Sequence, residues 1–538
     1  MSEEYIIKSN KPMIKPIDIS VSEYIFNGLK QFTDEYPCII NGSNDTMITA
    51  KEMATKCHSL AMALIELGIK KSDIVLTFAE NSIQHVIALL ASIFLGVTIY
   101  PISPIANFYE LDGLLETLGS LVIFTSKTKV DIINTVLSNK NRKFNIKSII
   151  VLDSVYANYK TYDSLLNSGL NKKLPKIPYF NIDTKKDTFI LLQSSGTTGV
   201  PKSMMISHFA FLYQISVLEL FKLLKPYGHV VPFGCISGSH QLYGNLSQGI
   251  TGVIHREYNE DLIFRSIEKY KIENIFITPM FATKLVSGPL VDKYDTSSLR
   301  FLCTGGAPVP PHIGQAIIKR HNVFFKEGYG MTEFGALTDF FNLDDEPYIP
   351  GSLGKPAFNS EMKVIDINSG QSLGPNIDGE ICIRGPQLFS GYLNNPEATK
   401  QAIDSDGWFH TGDIGHYDED KRFYLTDRLK ELIKFETIQV SPVEVEQFLS
   451  THECVAEVVV VGVRHETQNQ WVRAYIKVKD NMSVTEAEIK KYVSDNMNDA
   501  KHLRAGVVFV DHIPRTTIGK VDRRYFKKLV VNEVIKNN

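Results

Sequence analysis

Phe189-Ile190-Leu191-Leu192-Gln193 runs without a break into Ser194-Ser195-Gly196-Thr197-Thr198-Gly199-Val200-Pro201-Lys202. The first five residues read as a short buried strand. In the run that follows, two glycines let the backbone turn tightly and aim its N–H groups at an anion. The hydroxyls of Ser194, Ser195, Thr197 and Thr198 add donors, and Lys202 adds a positive charge. A Walker A loop, GxxxxGK(S/T), needs a glycine just before its lysine, and Pro201 stands there instead. Taken alone, the stretch also suits a plain solvated loop.

On either side of this junction, helical and strand patterns alternate, which predicts α/β layering. The longest apolar run, Val86 to Tyr100, falls short of the ~18–20 residues of a membrane span and reads as a buried helix feeding a strand. Tyr213, Val217, Leu220 and Leu224 recur at helical spacing and predict a helix over 207–224. Near the end of the chain Val472, Ala474, Ile476 and Val478 alternate with polar or amphipathic residues, as a half-buried strand does. Ser483 and Glu486 then have the spacing of a capping box.

At 538 residues the chain exceeds what one hydrophobic core supports. A net charge of −3, from 57 basic and 60 acidic residues, gives no footprint for nucleic acid or a membrane surface. The six cysteines include no CxxC pair, which argues against finger-type zinc ligation and a disulfide framework. The first residues carry acids and no apolar h-region, and the last are not Ser-Lys-Leu, so a cytoplasmic location is expected.

Further motifs follow in order: Thr304-Gly305-Gly306-Ala307-Pro308, Gly328-Tyr329-Gly330-Met331-Thr332-Glu333, Gly379-Glu380-Ile381-Cys382-Ile383-Arg384-Gly385 and Gly391-Tyr392. After them come Gly407-Trp408-Phe409-His410-Thr411-Gly412-Asp413, Asp427-Arg428-Leu429-Lys430 and Gly519-Lys520. In order and spacing this series resembles the adenylate-forming superfamily: acyl-CoA synthetases, 4-coumarate–CoA ligases and beetle luciferases. Asp292 to Asp295, Gly391 to Thr399 and Leu503 to Asp511 look most like the luciferase branch.

The resemblance implies an α/β fold with a large multi-layered N-terminal domain of sheets and helices, residues 1–427. A small mobile α+β domain, residues 428–538, would swing about a hinge near Lys430. It implies ATP-dependent activation of a small carboxylic acid to an acyl-adenylate, with pyrophosphate released and Mg²⁺ required. Transfer to CoA would follow, or, in the alternative, oxidation by O₂ with light emission. A catalytically reduced ligand-binding relative is disfavoured because the motif residues are all present. A monomer or weak oligomer is expected.

The same resemblance assigns roles. Thr332 contacts the AMP phosphate and Glu333 holds Mg²⁺. Ser194 to Gly199 and Lys202 cradle phosphates, including Gly196. Gly305, Gly306 and Ala307 form one wall of the adenine slot, with Tyr329 opposite and Gly330 beside it. Asp413 accepts the ribose hydroxyls, assisted by Arg428. Lys520 bridges the carboxylate and the α-phosphate, and Lys434 and Gln439 serve the second half-reaction. Cys235, with Gly305 and Gly306, lines the acid pocket.

Three stretches depart from the family pattern. Glu436-Thr437 stands where relatives carry Lys-Gly, adding bulk and negative charge to a presumed pantetheine tunnel. Gly462 to Gln470 replaces a Pro-Asp…Gly-Glu pattern. Pro232 to Ile236 lacks the usual His or aromatic, Cys235 taking its place, and Ser203 replaces the glycine after Lys202.

Overall fold

The structure, a computed structural model, describes residues 5–10, 18–33, 35–106, 108–139, 144–156, 158–170, 181–193, 202–216, 226–339, 348–429, 431–435, 438–515 and 521–535. These form a mixed α/β protein of two compact units. One comprises 8–361 and 384–409; the other comprises 1–7, 362–383 and 410–538.

The larger unit is built on two sheets. In the first, the strands run in the order Gly391–Tyr392, Ser203–Ser207, Thr188–Gln193, Thr98–Ile102, Ile74–Phe78, Leu121–Thr125, Ile146–Val151, Lys160–Thr161. The six from Thr188–Gln193 onward are parallel, and Ser203–Ser207 is antiparallel to both its neighbours. The expected strand at Phe189–Gln193 is therefore present, as is the helix-to-strand reading of Val86–Tyr100. Helix Ile83–Leu95 starts at Ser82, whose side chain accepts from the His85 amide, and ends at Gly96 with φ 76°. It is buried on almost every side, which is why its sequence is apolar all round. None of the described helices is long and apolar enough to cross a membrane.

The second sheet orders Phe324–Gly328, Phe301–Gly305, Asn274–Ile277, Tyr227–His229, Gly252–Ile254, Pro37–Asn41 and Met47–Thr49. Only the last pairing is antiparallel. Parallel strands buried on both faces read as continuous apolar runs, and here Ile275, Ile277, Leu302 and Phe325 fill the core with Phe264 and Phe281. Helix His208–Ser216 covers the start of the span expected at 207–224, and residues 217–225 lie outside the described residues.

In the smaller unit the strands Glu361–Ile365, Gly379–Arg384, Phe409–Tyr417 and Phe423–Arg428 lie side by side. A further sheet orders Ile438–Val440, Ile433–Phe435, Asn469–Val478, Val455–His465 and Val534–Ile535. Helices Pro442–Leu449, Glu486–Asn496 and Arg523–Leu529 accompany it. The alternation at 472–478 is a strand, as expected. The capping box sits two residues later than its expected position: Thr485 accepts from the Glu488 amide, and Glu488 accepts from the Thr485 amide at 2.7 Å. Val484 packs against the core, which places the N-cap at Thr485. Glu486 instead takes the Val507 amide and Lys490.

Candidate functional site

In open α/β sheets, ligands bind beyond the carboxyl ends of parallel strands. Strand Phe301–Gly305 ends at Gly305 and its neighbour at Gly328, which pair directly. A Cβ on Gly305 would lie 3.1 Å from the Gly328 carbonyl and 3.3 Å from the Phe276 ring. Gly306 follows with φ 86°. Gly306 and Ala307 are exposed, so the Gly305–Ala307 stretch forms a low wall at this sheet end. The Thr304 hydroxyl beside it is wholly buried and has no hydrogen-bond partner among the described residues.

From Gly328 the chain enters a hairpin whose legs are Gly330–Met331 and Gly335–Ala336. Thr332, Glu333 and Phe334 form its turn, with Phe334 buried as the anchor. Tyr329, itself buried, is tied to the returning leg, its carbonyl accepting from the Leu337 and Thr338 amides. Gly330 must be glycine: a Cβ there would sit 2.8 Å from the Gly335 carbonyl.

Residues 194–201 lie outside the described residues, but the positions bracketing the loop are fixed. Gln193 pairs with Ser203 across an antiparallel hairpin, and Met204 pairs with Tyr392 on the other side. Lys202 Nζ lies 4.9 Å from the centre of the Tyr392 ring, and the Tyr392 hydroxyl donates to Glu333 Oε1 at 3.3 Å. Burial, and then the Glu333 carboxylate, hold this phenol above its ordinary pKa. Lys202, Tyr392 and Glu333 are thus brought together. The Gly391–Thr399 motif is their scaffold: Gly391 has φ 129°, and the Tyr392 amide donates to Thr399 at 2.9 Å.

The chain after strand Tyr227–His229 reaches Cys235, which begins helix Ile236–Gln248. Its thiol donates to the Pro232 carbonyl at 3.0 Å, and burial raises its pKa. Gly234 comes so close to the end of strand Thr98–Ile102 that a Cβ would meet the Ile102 carbonyl carbon at 2.5 Å. Asn81, buried, bonds both Val231 and Phe233. The carboxyl ends of both sheets therefore meet here. His240 was not singled out from sequence. Its Nε2 lies 2.9 Å from Gln214 Oε1, and its ring stands 3.0 Å from where a Gly335 Cβ would be. Burial pushes the His240 imidazole down to about 3. Nothing local in the sequence signals this pair, which sits on two different helices.

In the smaller unit, Asp413 and Arg428 are direct cross-strand partners. Arg428 Nε lies 3.0 Å from Asp413 Oδ1, the carboxylate almost fully buried and the guanidinium half-exposed. The neighbouring Asp427 faces elsewhere, taking Ser441 and the Val443 amide. Lys434 and Gln439 are opposed in a hairpin, and the Lys434 amide donates to Gln470 Oε1 at 2.9 Å. Phe435 pairs with Asn469, which belongs to the Gly462–Gln470 stretch. Lys430, Glu436, Thr437 and Lys520 lie outside the described residues.

The profile of the AMP-binding enzyme family matches residues 28–393, and that of the AMP-binding enzyme C-terminal domain matches 444–520. The chain belongs to the AMP-binding enzyme family. It is 33% identical to the luciferin 4-monooxygenase of Photinus pyralis over 504 residues, covering 90% of this chain and 89% of that one. It is also 33% identical to 4-coumarate-CoA ligase 1 of Narcissus pseudonarcissus over 550 residues, covering 99% and 97%. Its fold is similar to the ATP-bound MatB of Rhodopseudomonas palustris, with a TM-score of 0.82 at 23% identity over 96% of this chain and 99% of that one. The resemblance to adenylate-forming enzymes is therefore established at the level of the family, and an adenylate-forming enzyme is what such membership means.

Proposed function

We propose that this AMP-binding enzyme joins a small carboxylic acid to AMP, using Mg·ATP and releasing pyrophosphate, and then passes the acyl group to CoA. The observation that carries the first step is the convergence of Lys202, Tyr392 and Glu333 beside a glycine-walled sheet end. A carboxylate attacking the α-phosphate brings two anions together, so catalysis is mainly positioning and charge neutralisation. Lys202 offers a cation at the exit of the phosphate loop. Glu333 offers a carboxylate that accepts from the Tyr392 hydroxyl, a ligand type suited to Mg²⁺, which would offset phosphate charge when bound. Gly305, Gly306 and Ala307 leave clearance for a flat base, and the buried Thr304 hydroxyl has hydrogen-bonding capacity to spare. Asp413 accepts ribose hydroxyls beside its partner Arg428, and Lys520 bridges the acid and the α-phosphate. Lys430 is the pivot about which the last residues serve the two steps in turn.

A second reading concerns the acceptor. Lys434 and Phe435, which precede Glu436-Thr437 in sequence, adjoin the rewritten Gly462–Gln470 stretch through the Phe435–Asn469 pairing and the Lys434–Gln470 bond. A β-branched residue and a carboxylate there disfavour an anionic thiol cofactor, which supports slow CoA transfer and consumption of the adenylate by O₂.

Pyrophosphate exchange across an acid library, with and without CoA and O₂, tests both readings. Adenylation should appear without either co-substrate, and Glu436→Lys with Thr437→Gly should raise CoA-dependent turnover while leaving exchange alone. No exchange with any acid would sink the first reading. Thioester formation by the native enzyme at a few per second or more would sink the second.

A further inference from the structure

Among residues given no role above, one cluster of unlike donors converges in the smaller unit. Glu380 and Cys382 are two apart on strand Gly379–Arg384 and so share a face, and His410 stands on strand Phe409–Tyr417 beside them. His410 Nδ1 lies 2.9 Å from Glu380 Oε2 and 3.7 Å from Cys382 Sγ. The three donor atoms all lie within 4.8 Å of one another, and no other His/Cys/Asp/Glu group among the described residues meets that test. Cys382 is wholly buried and Glu380 nearly so, while the His410 side chain keeps 30% exposure and gives a way in.

A thiol and a carboxylate thus face the same ring nitrogen. One proton on Nδ1 makes one good hydrogen bond; it cannot serve both neighbours well. A cation in its place would serve all three. Tetrahedral zinc with Zn–S of about 2.3 Å and Zn–N of about 2.0–2.1 Å sets S···N at about 3.5 Å. The observed 3.7 Å is close to that, and the N···O contact must open by only about half an ångström to reach a tetrahedral separation. Glu380 Oε1 already accepts from the Gly412 amide at 3.0 Å, so the carboxylate is oriented with Oε2 turned to the imidazole.

We propose that Glu380, Cys382 and His410 bind a soft divalent cation of the zinc type, with water as fourth ligand. Binding releases the Cys382 thiol proton, and the imidazole proton moves to Nε2. The thiolate separates this site from that of Mg²⁺, which demands six oxygen ligands. Cysteine spacing could not reveal it, because only one cysteine takes part and its partners come from two strands.

The test uses the full-length, nucleotide-free protein and Co²⁺ as probe. One equivalent should produce intense visible bands and a near-ultraviolet thiolate-to-cobalt charge-transfer band, both removed by Zn²⁺. The bands should be lost in Cys382→Ser and His410→Gln and kept in Cys454→Ser, which removes a partly exposed thiol elsewhere. Zn²⁺ should also raise the Tm of the wild type and not of His410→Gln. If Cys382→Ser does not fold, His410→Gln, altered at the exposed edge, decides the matter. Absence of the thiolate band in the wild type, or its persistence in His410→Gln, overturns the proposal.

Discussion

Replacing Asp413 by alanine removes a buried carboxylate that pairs with the half-exposed Arg428 at 3.0 Å. Breaking a fully buried pair costs about 3–5 kcal/mol, because a charge is left stranded. Here the charge left behind is Arg428, 46% exposed, which water can reach. The stability loss should therefore be only about 1–2 kcal/mol, between the surface and buried limits. The nucleotide loses more. Two ribose hydroxyls donating to one carboxylate, at about 1.5–3 kcal/mol per charge-assisted bond and less than additive, give about 2–4 kcal/mol. That is roughly 30- to 1,000-fold in the KM for ATP. The same bonds exist in ground and transition states, so kcat at saturating ATP should stay within a few fold. Pyrophosphate exchange against ATP concentration measures the first quantity and urea unfolding the second. An unchanged KM, or a collapsed kcat at unchanged KM, would refute the ribose role.

Lys520→Ala should slow adenylate formation by about 10²–10³-fold, the usual loss for one preorganised charge, while ATP still binds; adenylation within a few fold of wild type counts against it. Gly330→Ala places a Cβ 2.8 Å from the Gly335 carbonyl, so the hairpin carrying Thr332 and Glu333 must open. Exchange should drop at least tenfold while urea unfolding shifts by no more than about 1–3 kcal/mol, and full activity would show that the hairpin geometry is not needed. Burial holds His85 and His208 down to about 4, and His229 and His240 down to about 3. Below about pH 6.5 the unfolded chain takes up protons that the folded chain refuses. Stability should therefore fall from pH 6.5 toward 4, by up to about 1.4 kcal/mol per pH unit for each histidine. Glu327, raised by burial, opposes this in part. Unfolding midpoints that stay flat between pH 7 and 5 would contradict the burial argument.

The strand at Phe189–Gln193 and the helix inside Val86–Tyr100 were legible because their apolar residues are contiguous, as two-sided burial requires. The capping box was misplaced because both Ser483 and Thr485 are followed at the right interval by a glutamate, and packing of Val484 chose between them. Asp413 and Arg428 were legible as motif residues, but their opposition arises from strand register. The role of Tyr392 is not legible in its motif, because its position between Lys202 and Glu333 depends on three separated segments meeting. His240 and Gln214 were invisible for the same reason.

Ser203 follows Lys202, and its hydroxyl lies 2.8 Å from that of Tyr100, a wholly buried phenol. The two side chains depend on each other. Placing glycine at 203 alone would orphan the phenol at a cost of about 1–3 kcal/mol, whereas the same change after Tyr100→Phe removes both partners and is nearly neutral. Exchange of serine for glycine at 203 is therefore order-dependent: the aromatic position has to change before, or together with, the one that follows Lys202.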